Sequence, residues 1–150
     1  MAPFGGKPAL EVDLPAGWSR HDDPGGPLDF RPEASGALGL LQASLMPQQE
    51  FTRLQGVLPL GPEVADLGQE FNLGADLVGQ QDAPCAMGRM AFALYRSKET
   101  PVLVVWVTLS KSRAWLWTFV GPDPDAPAVR QAMQVVISAR ETVTSLPVLA

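Results

Sequence analysis

The sequence predicts an α+β domain, an α/β/α sandwich in which a central, mostly antiparallel sheet carries middle helices and a C-terminal helix. Short alternating strands open the chain, a middle stretch has apolar residues at helical spacing, and three strongly apolar strands precede a closing amphipathic helix. The length of 150 residues, 46% of them apolar, suits one domain spanning 1–150. We expect residues 1–8 of it to be flexible.

The first third of the chain is predicted to form short strands. Residues 10–14 alternate between apolar and polar side chains, and a second extended piece begins at Trp18. The stretch 21–27 concentrates turn-forming residues and is predicted to be a loop. Residues 28–31 are again extended, and 37–46 are predicted to form a longer strand.

Beyond Pro47 the apolar spacing becomes helical. This spacing predicts two consecutive helices, or one helix broken between Pro59 and Pro62. Gly74 and Gly79 close the region, and the chain then leads into the next strand. The apolar residues at helical spacing are Phe51, Leu54, Leu58, Val64, Leu67 and Phe71.

Three strands are predicted to follow as an antiparallel meander. Residues 87–96 alternate, 102–109 are almost wholly apolar, and 114–120 are rich in aromatic side chains. Turn-forming stretches at 97–101 and 110–113 separate them. Because the run 102–109 needs cover on both faces, it is predicted to be the central strand, with helices packed on at least one side.

The chain is predicted to end in an amphipathic helix. Asp123 or Asp125 can cap it, and prolines lie at or near its first turn. The residues at three- and four-residue spacing are Val129, Ala132, Met133, Val136, Ile137 and Arg140.

Composition excludes several classes of partner. The formal net charge of −5 disfavours DNA and RNA, because nucleic-acid affinity comes mainly from Lys and Arg that displace counterions. We find no run of about 20 apolar residues and expect no direct membrane insertion.

Cys85 is the only cysteine, which excludes an intramolecular disulfide. We therefore expect a reducing, cytoplasmic location and an inert thiol.

Candidate catalytic and metal-binding residues are few. His21, Asp22 and Asp23 form the one cluster of imidazole and carboxylates, but three consecutive loop residues rarely converge on one ion. No Gly-x-Ser-x-Gly elbow is present, and Asp123 and Asp125 lack the later residues of a calcium loop. We therefore expect no catalytic residue, no metal and no cofactor.

Aromatic side chains on the predicted meander provide the candidate protein- or ligand-binding surface. Alternation places them on one face of neighbouring strands, where they could form an apolar surface. The alternative is that they are core residues beneath a helix. The candidates are Met90, Phe92, Trp115, Trp117 and Phe119.

Several short pieces spread over the chain match a family pattern. They are the apolar-x-Leu-Pro-x-Gly-Trp opening at Val12 to Trp18, the meander, the Trp-Thr-Phe strand ending at Gly121-Pro122, and Thr144-Ser145-Leu146. In these pieces the chain resembles the PsbP-like α/β/α sandwich family. Its members include an extrinsic subunit of the photosynthetic water-oxidising complex, a Ran-binding nuclear transport factor, bacterial lipoproteins and chaperones of type VI secretion effectors.

The resemblance implies a binding protein without enzymatic activity. The chain lacks the N-terminal lipid-acceptor cysteine of the lipoprotein branch, and it resembles a small, acidic, cytoplasmic bacterial member. The effector chaperones are usually dimeric and shield apolar segments on a concave sheet surface, which implies a protein partner and a possible homodimer here.

Three functional hypotheses follow. The first is a non-enzymatic protein-binding domain, an adaptor or chaperone that uses the apolar sheet face. The second is a small-ligand or lipid carrier with a pocket between sheet and helices. The third is a hydrolase or metal enzyme centred on His21.

Overall fold

The structure is a computed structural model that describes residues 8–22, 26–32, 38–71, 76–99 and 101–143. The expectations that lie outside these residues include the flexibility of residues 1–7, the part of Asp23 in the His21 cluster, the closing role of Gly74, and the family resemblance at 144–146. The helices and strands within the described residues are β1 (Pro8–Glu11), β2 (Ser19–Asp22), β3 (Leu28–Arg31), β4 (Leu40–Leu45), α1 (Gln48–Leu54), α2 (Gly61–Phe71), β5 (Asp76–Cys85), β6 (Gly88–Arg96), β7 (Val102–Leu109), β8 (Ala114–Gly121), α3 (Pro127–Ser138) and β9 (Arg140–Val143).

The described strands form one large and one small antiparallel sheet. Seven of them run in the order β2-β3-β4-β8-β7-β6-β5, and β1 pairs with β9 in a separate two-stranded sheet. The α+β class with a mostly antiparallel central sheet is confirmed. The predicted central position of 102–109 also holds, since all eight residues of β7 are buried.

Helices cover the large sheet from both sides. On the face that we call the α3 face, Ala132 and Val136 of α3 share a core with Trp106 and Trp117. On the opposite face, α1 and α2 pack on alternate residues of β6 and β7 such as Ala93. Because successive side chains of a strand point to opposite faces, those of β6, β7 and β8 lie alternately in one core or the other.

The sequence reasoning missed β5. We expected Gly79 to close the helical region, yet Asp76–Cys85 forms a ten-residue edge strand paired with β6. Its side chains are mostly exposed, so the apolar alternation that marks a half-buried strand is absent. A register shift between Leu77 and Gly79 and a proline at position 84 are tolerated because only one side of an edge strand must pair.

The C-terminal helix is shorter than predicted. It ends at Ser138, and Arg140, which we expected to close the helix, begins β9 opposite Glu11 of β1. This tertiary pairing supplies backbone partners that a further helical turn would have supplied. The first strand is displaced for the same reason, since β1 covers Pro8–Glu11 where 10–14 was predicted.

The edge strand also anchors the start of α2. The two carboxylate oxygens of Asp82 accept hydrogen bonds from the backbone N–H groups of Leu60 and Gly61, each at 2.7 Å. These are amides that the first helical turn leaves without an intrahelical partner. Asp82 thus caps a helix that begins 21 residues before it in the chain.

Candidate functional site

Most of the predicted aromatic surface lies in the core of the α3 face. The exposed fractions are 2% for Met90, 5% for Trp115, 0% for Trp117 and 1% for Phe119. Phe92 is the remaining candidate and is only partly buried. An exposed surface made of all five side chains is therefore wrong for this structure, and the core alternative describes four of them.

Hydrogen bonds support the core assignment of the tryptophans. Trp117 stacks on Phe30 with ring centroids 6.0 Å apart, and its indole N–H donates to the buried hydroxyl of Thr108 at 3.0 Å. Buried indoles need such partners because an unpaired N–H is costly. The other indole donors pair as follows: Trp18 with Gln131, Trp106 with Met133, and Trp115 with Glu141.

An open apolar pocket lies beside these core residues, between α3 and strands β6 and β7. Its volume is about 360 Å³, within the range of roughly 300–1,000 Å³ that is common for ligand sites. Its lining residues are Phe92, Leu94, Val104, Trp106, Val129, Arg130, Met133 and Gln134.

The floor of the pocket follows from the sheet register. Phe92 lies opposite Trp106, and Leu94 lies opposite Val104, so the four side chains form two adjacent cross-strand pairs on one face. The Sδ atom of Met133 accepts the indole N–H of Trp106 at 3.2 Å. Helix α3 is thereby held over one side of this floor.

The helical wall of the pocket has a polar rim. Val129 and Met133 are partly buried and face the floor, whereas Arg130 and Gln134 are exposed. Each pair is four residues apart, so both members lie on one side of the helix. The Arg130 guanidinium makes no hydrogen bond or ion pair with any residue in the described ranges.

The strand β5 pairs with β6, which carries Phe92 and Leu94 of the pocket floor. Gly79 lies opposite Leu94 and Gln81 lies opposite Phe92, so both β5 residues share the face of the pocket floor. A Cβ atom added at Gly79 would have no neighbour within 4 Å. The absence of a side chain there leaves the β5 border of the floor uncovered.

A second pocket of about 350 Å³ lies between α1 and the β5–β6 and β7–β8 turns. Its Arg89 donates to the carbonyl oxygens of Gln55 and Val57 at 3.2 and 2.6 Å. These bonds tie the end of α1 to the sheet. Arg89 therefore has a structural role that accounts for its position.

The predicted His21 cluster is only partly brought together. His21 and Asp22 belong to β2 and not to a loop, and Asp23 lies outside the described residues. His21 Nε2 lies 3.0 Å from Ser19 Oγ, while Asp22 pairs with Arg20 at 2.8 Å. Within the described ranges, no group of three or more His, Cys, Asp or Glu side chains could hold a metal ion.

Cys85 lies at the end of β5 and is partly buried. Burial raises the pKa of its thiol, and backbone hydrogen bonds from Gly88 and Met87 partly offset this effect. A raised thiol pKa lowers the thiolate fraction at neutral pH, and the thiolate is the reactive form.

The sequence reasoning missed Trp106 and the helical wall of the pocket. The predicted turn 97–101 carried a usable signal, because Phe92 and Trp106 are equally far in sequence from its centre, Glu99. A tight hairpin makes such residues cross-strand neighbours, as the register has them. Which side of α3 lies over them depends on the packing of the whole sheet.

Comparisons with known proteins identify the fold. No family model and no curated protein matches the chain. Cyanobacterial PsbP (CyanoP) from Synechocystis sp. PCC 6803 matches with a TM-score of 0.54 and 15% identity over 89% of this chain and 91% of that one. The chain therefore has a PsbP-like fold, as the sequence resemblance predicted.

Two further solved structures are similar at lower scores. LpqN, involved in cell envelope biogenesis of Mycobacterium tuberculosis, matches with a TM-score of 0.46 and 12% identity over 91% of this chain and 85% of that one. A protein of Bacteroides thetaiotaomicron VPI-5482 matches with a TM-score of 0.42 and 14% identity over 93% of this chain and 49% of that one. No helix among the described residues has both the length and the apolar character needed to cross a membrane.

Proposed function

We propose that this domain is a non-catalytic protein-binding module and that its site is the apolar pocket between α3 and strands β6 and β7. The observation that carries the proposal is an open apolar pocket in which the partly buried side chains of Phe92 and Leu94 lie beside the fully buried ring of Trp106. Aromatic side chains in a pocket are the usual anchors of protein interfaces.

Energetics indicate what a partner must provide. Burying one Leu or Phe side chain in the pocket would contribute about 1.5–3 kcal/mol, which alone does not offset the cost of association. Among the described strands, β5 pairs only with β6, so the backbone groups on its other side can pair with an extended segment of a partner. A partner segment that lies along β5 and inserts an apolar side chain beside Phe92 would use both surfaces.

The absence of catalysis is part of the proposal. Its support is the chemistry of the pocket, whose side chains are apolar apart from Arg130 and Gln134. Acid-base or nucleophilic catalysis needs a group that can exchange a proton near neutral pH, and neither side chain provides one. The cytoplasmic location and the possible homodimer stay predictions from the sequence.

The proposal is tested by affinity capture from the source organism with two matched variants. Val129→Glu puts a carboxylate into the pocket at the third residue of α3. Acidic side chains in the first turn stabilise a helix through its dipole. Ile137→Glu makes the same change at an exposed residue of the same helix that does not line the pocket. An acidic substitution at Trp117 would not serve this test, because it would bury an unpaired carboxylate in the core.

We expect one stoichiometric partner to be captured by the wild type and by Ile137→Glu and to be lost with Val129→Glu. Thermal unfolding of each variant controls for loss of the fold. Equal capture by both variants would show that the pocket is not the binding site.

The second candidate function is transport of a small apolar ligand. The pocket volume of about 360 Å³ and the apolar lining favour it, because small-molecule sites are concave, mostly apolar and roughly 300–1,000 Å³ in volume. Native mass spectrometry of protein purified without detergent tests it. A bound ligand of defined mass that Val129→Glu no longer retains would favour the carrier over the protein-binding module.

A further inference from the structure

Arg130 lies at the end of α3 where a positive charge is unfavourable. It is the fourth residue of α3, near the positive end of the helix dipole, and the first turn of α3 contains no acidic residue. Cations are favoured at the opposite end of a helix. Such a local conflict is expected where a side chain serves binding rather than stability.

Among the residues that the structure describes, none forms an ion pair with Arg130. Asp123 and Asp125 lie in the segment before α3, are exposed, and form no ion pair with it. Within the described part of the chain, the guanidinium is therefore a cation without an ion-pair partner on the rim of an apolar pocket, in a chain with a formal net charge of −5. Gln134, one helical turn further on, adds an amide on the same side of the helix.

We infer that the pocket binds a peptide segment in which a bulky apolar side chain is followed closely by a carboxylate. This inference rests on the proposed protein-binding function. The apolar side chain lies on the floor formed by Phe92 and Trp106, and the carboxylate accepts hydrogen bonds from Arg130, with Gln134 as a second donor. Arginine suits this role because its planar group binds a carboxylate through two parallel hydrogen bonds.

The expected selectivity is modest because Arg130 is solvated. An exposed ion pair changes binding by a factor of about three, so the carboxylate tunes specificity and the apolar anchor provides most of the affinity. Since the net charge of the chain repels acidic partners at long range, the preference is a short-range effect of Arg130.

Three capped nonapeptides test the inference. Each contains a central phenylalanine next to leucine, followed by glutamate, glutamine or lysine. Binding is followed by NMR through the indole N–H signal of Trp106, which lies in the pocket floor and is assigned by its loss in Trp106→Phe. Decanoate is a fourth probe. It combines an apolar chain with a carboxylate, as the glutamate peptide does, but represents a fatty acid.

We expect the glutamate peptide to bind about threefold more tightly than the glutamine peptide and about tenfold more tightly than the lysine peptide. Arg130→Gln should remove most of this preference, whereas Arg130→Lys should keep part of it. If Arg130 had only a structural role, its replacement would weaken the binding of all three peptides. We expect instead that the affinity of the glutamate peptide falls toward that of the glutamine peptide.

The remaining outcomes separate the two proposals. Equal affinity of the three peptides for the wild type would overturn the carboxylate inference and leave the apolar pocket as a protein-binding site. Failure of every peptide to shift the Trp106 signal would overturn both. A shift with decanoate alone would overturn both as well and assign the pocket to a fatty acid.

Discussion

Replacing Trp117 by alanine should destabilise the domain strongly, because the side chain is wholly buried in the α3 face. The substitution removes the ring that stacks on Phe30 and the indole N–H that donates to Thr108. Val120→Ala, three residues further along the same strand, changes a side chain that is 46% exposed. This variant is the matched control.

The magnitude follows from burial and from one lost hydrogen bond. Truncation of a buried tryptophan costs about 3–5 kcal/mol, and leaving the Thr108 hydroxyl without its donor adds roughly 1 kcal/mol. In a domain of this length, the truncation alone lowers the melting temperature by roughly 6–20 °C. Val120→Ala should change the free energy of unfolding by no more than about 0.5 kcal/mol.

Urea unfolding followed by circular dichroism measures both variants. A double-mutant cycle with Trp117→Phe and Thr108→Val isolates the hydrogen bond, and we expect a coupling of about 1 kcal/mol because removing both partners costs less than the sum of the single changes. Wild-type stability of Trp117→Ala together with loss of a binding partner would refute the core assignment and restore the tryptophan face as a binding surface.

Three further predictions concern other parts of the fold. Asp82→Ala should lower the free energy of unfolding by about 1–2 kcal/mol, because two amides at the start of α2 lose their acceptor; urea unfolding measures this loss, and wild-type stability would contradict the capping role. Cys85 should react with iodoacetamide more slowly than a free cysteine at neutral pH and speed up only at higher pH, since burial raises the pKa of its thiol; a faster rate would contradict this assignment. Gly68→Ala should destabilise α2 by about 1–3 kcal/mol despite the better helix propensity of alanine, because the added methyl group overlaps the ring of Tyr95; a raised melting temperature would show that the ring can move aside.

Much of the fold could be predicted from local patterns. The period-two alternation of the meander and the helical spacing of α3 arise within single segments, so they are visible in the sequence alone. The strand Val102–Leu109 has its predicted bounds because a fully apolar run between two turns has few alternatives. The PsbP-like fold was recognised from the same elements and their order.

Elements whose stability comes from distant partners could not be predicted in this way. The edge strand β5 has an exposed, polar sequence and is held by its pairing with β6. Likewise, β9 follows α3 directly and is held by its pairing with β1, at the other end of the chain. The pattern of residues within one segment does not indicate such pairing with a distant strand.

The candidate site was likewise predictable only in part from the sequence. By itself, the sequence determined that aromatic side chains share one face of the meander, because alternation along a strand is a property of the chain. Only the tertiary structure decided that Trp106, Trp115 and Trp117 are all buried in the core, and that an open pocket lies above Trp106 where Phe92 is only partly buried. The reason is that, among the described elements, one helix and the β1–β9 pair cover only part of the α3 face, and the position of α3 depends on all the side chains packed beneath it.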